Sequence, residues 1–113
     1  MLVVGHSNCG GVVACIKAAG GPPPPPTSPL VRWLTPLADL ARSHNIGSLE
    51  PSAEAISLLV RESVRQQVQN LTKTETIKEV WAKGVDVQIH GLVYDLSTGR
   101  LTDLGITQSP PKE

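Results

Sequence analysis

Neither sign of charge predominates in this chain of 113 residues: ten Lys and Arg stand against ten Asp and Glu, for a formal net charge of zero. Without a basic excess there is nothing to displace counterions from a nucleic acid. Without a polybasic block there is nothing to hold an anionic membrane surface. Cysteine is scarce as well. Cys9 and Cys15 are too few for a disulfide framework, and their place around the start of an expected helix suits a reduced, cytoplasmic compartment. No apolar run approaches the ~20 residues of a membrane-spanning helix. Leu2-Val3-Val4 is too short for a secretory signal core and has no basic segment ahead of it. These absences leave a soluble cytoplasmic protein as the expected class, one domain over residues 1–113 with little stability to spare.

What is present begins abruptly. Leu2 to Val4 reads as the end of a buried parallel strand, which normally has neighbours, so the sequence reads as truncated at its start. Gly5 to Gly11 reads as a tight loop, and Gly11 to Ala19 as a helix stopped by Gly20-Gly21. Five consecutive prolines, Pro22 to Pro26, exclude helix and central strand. Residues 20–28 are therefore expected to form a proline-rich loop, a stiff spacer in preference to a ligand for SH3 or WW domains.

Ser28-Pro29 and Thr35-Pro36 each place an N-cap residue before a proline allowed in a first helical turn. A short turn from Pro29 and a separate helix from Pro36 to about Ser43 are expected, with Trp33, Leu34, Leu37 and Leu40 turned inward. From Ser52 to Leu71 the apolar residues Ala53, Ile56, Val60, Val64, Val68 and Leu71 recur at three and four, the stripe of an amphipathic helix. Glu54, Arg61, Glu62, Arg65 and Gln69 form its solvated face. A further helix is expected from Thr74 to Lys83, ended by Gly84. Val85 to Tyr94 alternates apolar and polar residues as a half-buried strand does. Ser97-Thr98-Gly99 is a turn, and Arg100 to Leu104 returns as an antiparallel arm, leaving 106–113 as a tail. The order predicts an α/β layered fold with a short, mostly parallel sheet, a C-terminal hairpin and flanking helices.

The segment Gly5-His6-Ser7-Asn8-Cys9-Gly10-Gly11 lies between a strand and a helix, where several site chemistries occur. A phosphate-binding P-loop fails, because Gly11 and Val12 stand where Lys and Ser or Thr are needed. A dinucleotide loop of G-x-G-x-x-G form is absent. A cysteine-phosphatase loop fails too, with Cys15 where its arginine belongs. A metal remains. His6 and Cys9 are three apart, and imidazole with thiolate is a pair that zinc favours. Cys9 also precedes a helix N-terminus, where the dipole and unpaired amides favour a thiolate. Gly10 and Gly11 would let the backbone pass close to the ion. By itself His-x-x-Cys is a weak signal, and a loop histidine with a buried free cysteine is the more common meaning of such a pair. Cys15 lies about 240° around the helix from position 9 at ~100° per residue, and its neighbours Val12, Val13 and Ile16 mark it as core. His44 and His90 are poor candidates for a metal, His90 standing on the polar side of its strand.

Four segments in order resemble the β-class carbonic anhydrase family. Val3-Val4-Gly5-His6-Ser7-Asn8-Cys9-Gly10-Gly11-Val12 is similar to its second zinc motif, and Val31-Arg32-Trp33-Leu34-Thr35-Pro36-Leu37 to the Trp-Leu segment that follows. Glu62 to Leu71 resembles its long helix, and Val87 to Asp95 with Thr98-Gly99 its last core strand and hairpin. The resemblance implies reversible hydration of CO2 to bicarbonate at a zinc ion, with His6 and Cys9 as two of three protein ligands. It also implies a homo-oligomer, or association with a full-length relative. The family's other zinc cysteine belongs to a Cys-x-Asp-x-Arg motif that has no counterpart here. Weak zinc binding and impaired or absent catalysis by these residues alone are therefore expected. The alternative is a degenerate family member acting as a non-catalytic binding or interaction module.

Overall fold

The computed structural model describes residues 1–19, 28–46 and 52–110. Of the proline-rich loop expected over 20–28, only Ser28 is among them; residues 111–113 of the expected tail also lie outside. The elements are β1 (Leu2–His6), α1 (Gly10–Ala19), α2 (Pro29–Ser43), α3 (Ala53–Thr72), α4 (Glu75–Ala82), β2 (Ile89–Asp95) and β3 (Arg100–Gln108). They divide into a sheet unit, Met1–His6 with Val64–Glu113, and a helical unit, Ser7–Ser63. No described helix is long and apolar enough to cross a membrane.

In the sheet unit β2 is central. It pairs in parallel with β1, from Leu2 opposite His90 to His6 opposite Tyr94. It pairs antiparallel with β3, from Ile89 opposite Gln108 to Asp95 opposite Arg100. The α/β class holds, with one parallel and one antiparallel pair. The antiparallel register slips between Gly91, which faces Ile106, and Leu92, which faces Asp103. The additional residues on β3 make a bulge. Gly105 takes φ +71° there and donates its N–H to Asp103 Oδ1 at 2.9 Å. Because of the bulge β3 runs on to Gln108 and buries Ile106, where a tail was expected.

The core of this unit is Val64, Val68, Ile77, Ile89 and Ile106, with Val3, Leu71, Trp81, Val93 and Leu104 packed against it. β-branched side chains suit this place: their single preferred χ1 loses little entropy on a pleated surface, and they fill it densely. Gly91 lets the C-terminal half of α3 approach β2. A Cβ there would lie 2.9 Å from Val64 Cγ1 and 3.4 Å from both Val68 Cγ2 and Ile106 Cβ. Val85 to Gln88, expected to open the strand, does not join the sheet. Alternation proposes a strand, but a strand needs a hydrogen-bonding neighbour. Val87 instead offers its carbonyl to Trp81 Nε1–H at 2.8 Å, tying the segment to α4, and Val85 is exposed. α4 matches expectation: Thr74 Oγ1 accepts the Ile77 N–H at 3.3 Å, and Gly84 follows the helix at φ +80°.

In the helical unit Ser28 caps α2 as expected, its Oγ accepting the Val31 N–H at 3.1 Å. Two helices were expected where one exists. Pro36 sits inside the 15-residue α2; its ring removes one backbone donor but has a φ compatible with helix. Thr35 does not cap a new helix: its hydroxyl donates to the Val31 carbonyl at 2.7 Å, one turn back. Burial of Ala38 and Ala41 beyond the proline holds the second half in line. Trp33, expected to turn inward, is 78% exposed, while Leu34, Leu37 and Leu40 are half-buried.

α3 has its expected extent, with Ser52 Oγ accepting the Ala55 N–H at 3.2 Å. In the helical unit Val60 is buried as expected, but Ala55 and Leu59 are buried beside it and Ala53 is exposed. Ala55 and Leu59 also stand four apart and lie beside Ile56 and Val60 on the same broad face. Glu54, Arg61, Arg65 and Gln69 are exposed as expected.

Candidate metal centre

The His-x-x-Cys pair occupies a junction between regular elements. His6 is the last residue of β1, opposite Tyr94, and it is exposed. Sheet pairing fixes its backbone. Cys9 stands directly before α1 and is half-buried. Its carbonyl accepts the first helical bond, from Val13 N–H at 3.0 Å, so Cys9 is the N-cap residue of α1. Ser7 and Asn8 make the turn between the two.

A short polar turn ends β1 because glycine and serine weaken strand continuation while Asn8 tolerates the left-handed conformation, with φ +54°. The helix that follows carries no acidic residue in its first turn. A Cβ at Gly11 would make ordinary contacts, 3.9 Å from Cys9 Sγ and 3.7 Å from Leu34 Cδ2. A Cβ at Gly10 would meet nothing within 4 Å.

Imidazole and thiol fit zinc in kind, and both are accessible to some degree. In number they make a half-site: among the described residues no group of three or more His, Cys, Asp and Glu is placed to hold a metal ion. Cys15 behaves as the sequence suggests. It is buried, its Sγ lies 3.7 Å from the Leu34 carbonyl, and burial followed by the nearby Cys9 pushes its thiol pKa up. A protonated sulfur in an apolar setting is a core residue. His44 Nε2 lies 3.6 Å from Glu62 Oε2, and His90 Nδ1 is 3.1 Å from Thr107 Oγ1.

Sequence reasoning did not anticipate a groove within the helical unit. It lies between α1 and α2, holds about 410 Å3, and is walled by small apolar residues such as Ala14, Cys15, Ala18, Leu34 and Ala38. Arg42 stands at its edge, bonded to Asp39 Oδ1 at 2.9 Å and to the Ala18 carbonyl at 3.4 Å. The alanines on both helices were the available signal, because small facing residues leave space wherever nothing larger interdigitates.

Comparison with known proteins gives this site a context. Residues 1–101 match the family model described as carbonic anhydrase. A carbonic anhydrase of Emericella nidulans is 30% identical over 108 residues, covering 94% of this chain and 45% of that protein. One from Pseudomonas aeruginosa is 33% identical over 106 residues, covering 92% and 46%. Among solved structures, a β-carbonic anhydrase of Aspergillus fumigatus superposes with a TM-score of 0.73 at 31% identity, covering 93% of this chain and 48% of that one. A tetrameric β-carbonic anhydrase of Sordaria macrospora shares the fold with a TM-score of 0.75 at 24% identity. The chain thus spans under half the length of these two sequence relatives.

Proposed function

This chain belongs to the β-carbonic anhydrase family, and from that premise we propose that its segment His6-Ser7-Asn8-Cys9 is part of a zinc site for the reversible hydration of CO2 to bicarbonate. The observation that carries the reading is the pairing of the two donor types with their positions, one at the end of a sheet strand and one capping a helix. His6 supplies a neutral nitrogen. Cys9 supplies a sulfur donor at the N-cap of α1. Bound zinc contributes Lewis acidity, which makes a water acidic enough to attack CO2 at neutral pH when three protein ligands leave one position open. These 113 residues by themselves present two such donors in one stretch, so they hold zinc weakly and hydrate CO2 poorly.

A second reading, a non-catalytic interaction module, draws on the exposed apolar residues Leu2 and Val4 on the outer strand β1 and Leu30 and Trp33 on α2. An outer strand without charge or proline, and an exposed tryptophan, are features that pair with other chains. Association with further copies or with a full-length relative, in a reduced cytoplasmic compartment that keeps Cys9 as a thiol, fits both readings.

Equilibrium dialysis against zinc followed by metal analysis tests the site. Well under one zinc per chain is expected, falling to background in His6→Ala and in Cys9→Ser. Retention of zinc by both variants would place the metal elsewhere. Stopped-flow proton release on mixing with CO2 tests the activity, with a rate close to the uncatalysed one expected. A zinc-dependent rate that disappears in Cys9→Ser would show that these residues suffice for catalysis.

A further inference from the structure

α2 carries an apolar stripe beyond the one it buries. Ala38 and Ala41 turn inward, whereas Leu30 and Trp33 are exposed and Leu37 and Leu40 half-buried. These four residues follow one another at spacings of three, four and three, the a and d positions of two heptads. At ~100° per residue they fall within about 80° of one another, while Arg32, Asp39 and Arg42 lie roughly 120° or more from the centre of the stripe. Asp39 and Arg42 bond each other, and Arg42 also reaches the Ala18 carbonyl on α1. The residues flanking the stripe, Leu34, Pro36 and Ala41, are uncharged as well. An apolar helix face that holds an exposed tryptophan and excludes charge is suited to docking.

The stripe is also complementary to itself. Its centre, residue 35, nearly coincides with the middle of α2 (Pro29–Ser43), so two copies laid antiparallel about a twofold axis there overlap along the whole helix. Leu30 of one copy then meets Leu40 of the other, and Trp33 meets Leu37, the a-to-d pairing of an antiparallel helix pair. A parallel pair would instead set Trp33 against Trp33. One tryptophan offers about 150–250 Å2, and with three leucines each copy contributes several hundred Å2. That lies at the low end of stable interfaces and corresponds to a dimer of micromolar affinity.

We propose that α2 is a homodimerisation surface, in which Leu30, Trp33, Leu37 and Leu40 of two copies of this chain pack antiparallel with Trp33 as the anchor. The inference rests on the reading of the chain as one that associates, and it names the partner and the face; it is independent of zinc at His6 and Cys9.

Sedimentation velocity of the intact 113-residue chain across the micromolar range tests this, and a monomer–dimer equilibrium is expected. Trp33→Glu weakens the dimer by about thirtyfold or more and Leu30→Glu by about tenfold or more. Val4→Glu, on the outer strand β1, is the control and leaves the constant within about twofold. Circular dichroism identifies any variant that fails to fold; both α2 positions are exposed, and if Trp33→Glu fails, Leu30→Glu carries the comparison. Direction is read by mild oxidation in a Cys9→Ser background. The double variant Leu30→Cys, Leu40→Cys cross-links two chains, whereas Leu30→Cys alone does not. A chain that stays monomeric throughout sinks the association reading and this interface with it. If the parent associates but both glutamate variants of α2 associate as tightly, or Val4→Glu is the change that separates the copies, association stands and the role of α2 is overturned. Efficient cross-linking by Leu30→Cys alone overturns the antiparallel arrangement.

Discussion

The two units of this chain bury apolar surface in different ways. In the sheet unit, β-branched residues from α3, α4, β2 and β3 close on one another, and Gly91 is where helix and strand come nearest. In the helical unit the buried set is rich in small residues, with Cys15, Ala38, Ala41 and Ala55 beside a few larger ones, and an open groove separates parts of α1 and α2. At Gly91 the first arrangement leaves no space for a side chain, whereas the groove of the second has space.

The largest effect expected from this contrast is at Gly91. Gly91→Ala places a methyl 2.9 Å from Val64 Cγ1, and overpacking of this kind destabilises by about 1–3 kcal/mol. Chemical denaturation gives the value directly. A change below about 0.5 kcal/mol would mean that α3 moves away from β2 freely, and the sheet unit would not be the rigid one.

Enlargement of a groove wall gives the opposite sign. Ala14 is exposed and lines the groove between α1 and α2. In Ala14→Leu the added side chain covers apolar wall without meeting a packed neighbour, and a gain of about 0.5–2 kcal/mol is expected by analogy with other cavity-filling changes. A loss comparable to that of Gly91→Ala would erase the distinction between the units.

The smallest effect concerns pH and confines itself to the helical unit. Burial, then Cys9, raises the Cys15 pKa in the folded chain. At alkaline pH the unfolded chain therefore releases this proton first and binds fewer protons than the folded one. Stability falls as pH rises through the ordinary thiol value and levels off above the raised folded value. Denaturation curves across that window should show the decline, and Cys15→Ala should flatten it. An unchanged slope in Cys15→Ala would assign the alkaline loss to other groups.

Features that depend on a few neighbouring residues were legible in the sequence. The stripe of α3 marked the helix and its ends, because side chains three and four apart share a face in any helix. Thr74 and Gly84 marked the limits of α4, since a cap and a left-handed stop need only local backbone groups. The His6–Cys9 spacing identified the candidate half-site, and the ordered family segments placed it in the right fold. Local signals also misled where tertiary contacts decided otherwise. Thr35-Pro36 has the form of a new helix start, yet buried Ala38 and Ala41 carry α2 through it.

Residue order thus determined which segments become helices and where most of them are capped, and it singled out His6 and Cys9 as candidate ligands. The tertiary structure alone decided which stretch of an alternating sequence became strand: Ile89 to Asp95 found partners in β1 and β3, whereas Val85 to Gln88 did not join the ladder. It alone decided that Trp33 faces outward, that Gly91 meets Val64, and that the alanines of α1 and α2 border open space. The reason is that a cap or a turn is satisfied by atoms a few residues away, whereas a ladder hydrogen bond, a packed face or a void depends on residues that are distant in sequence and meet only in the folded chain.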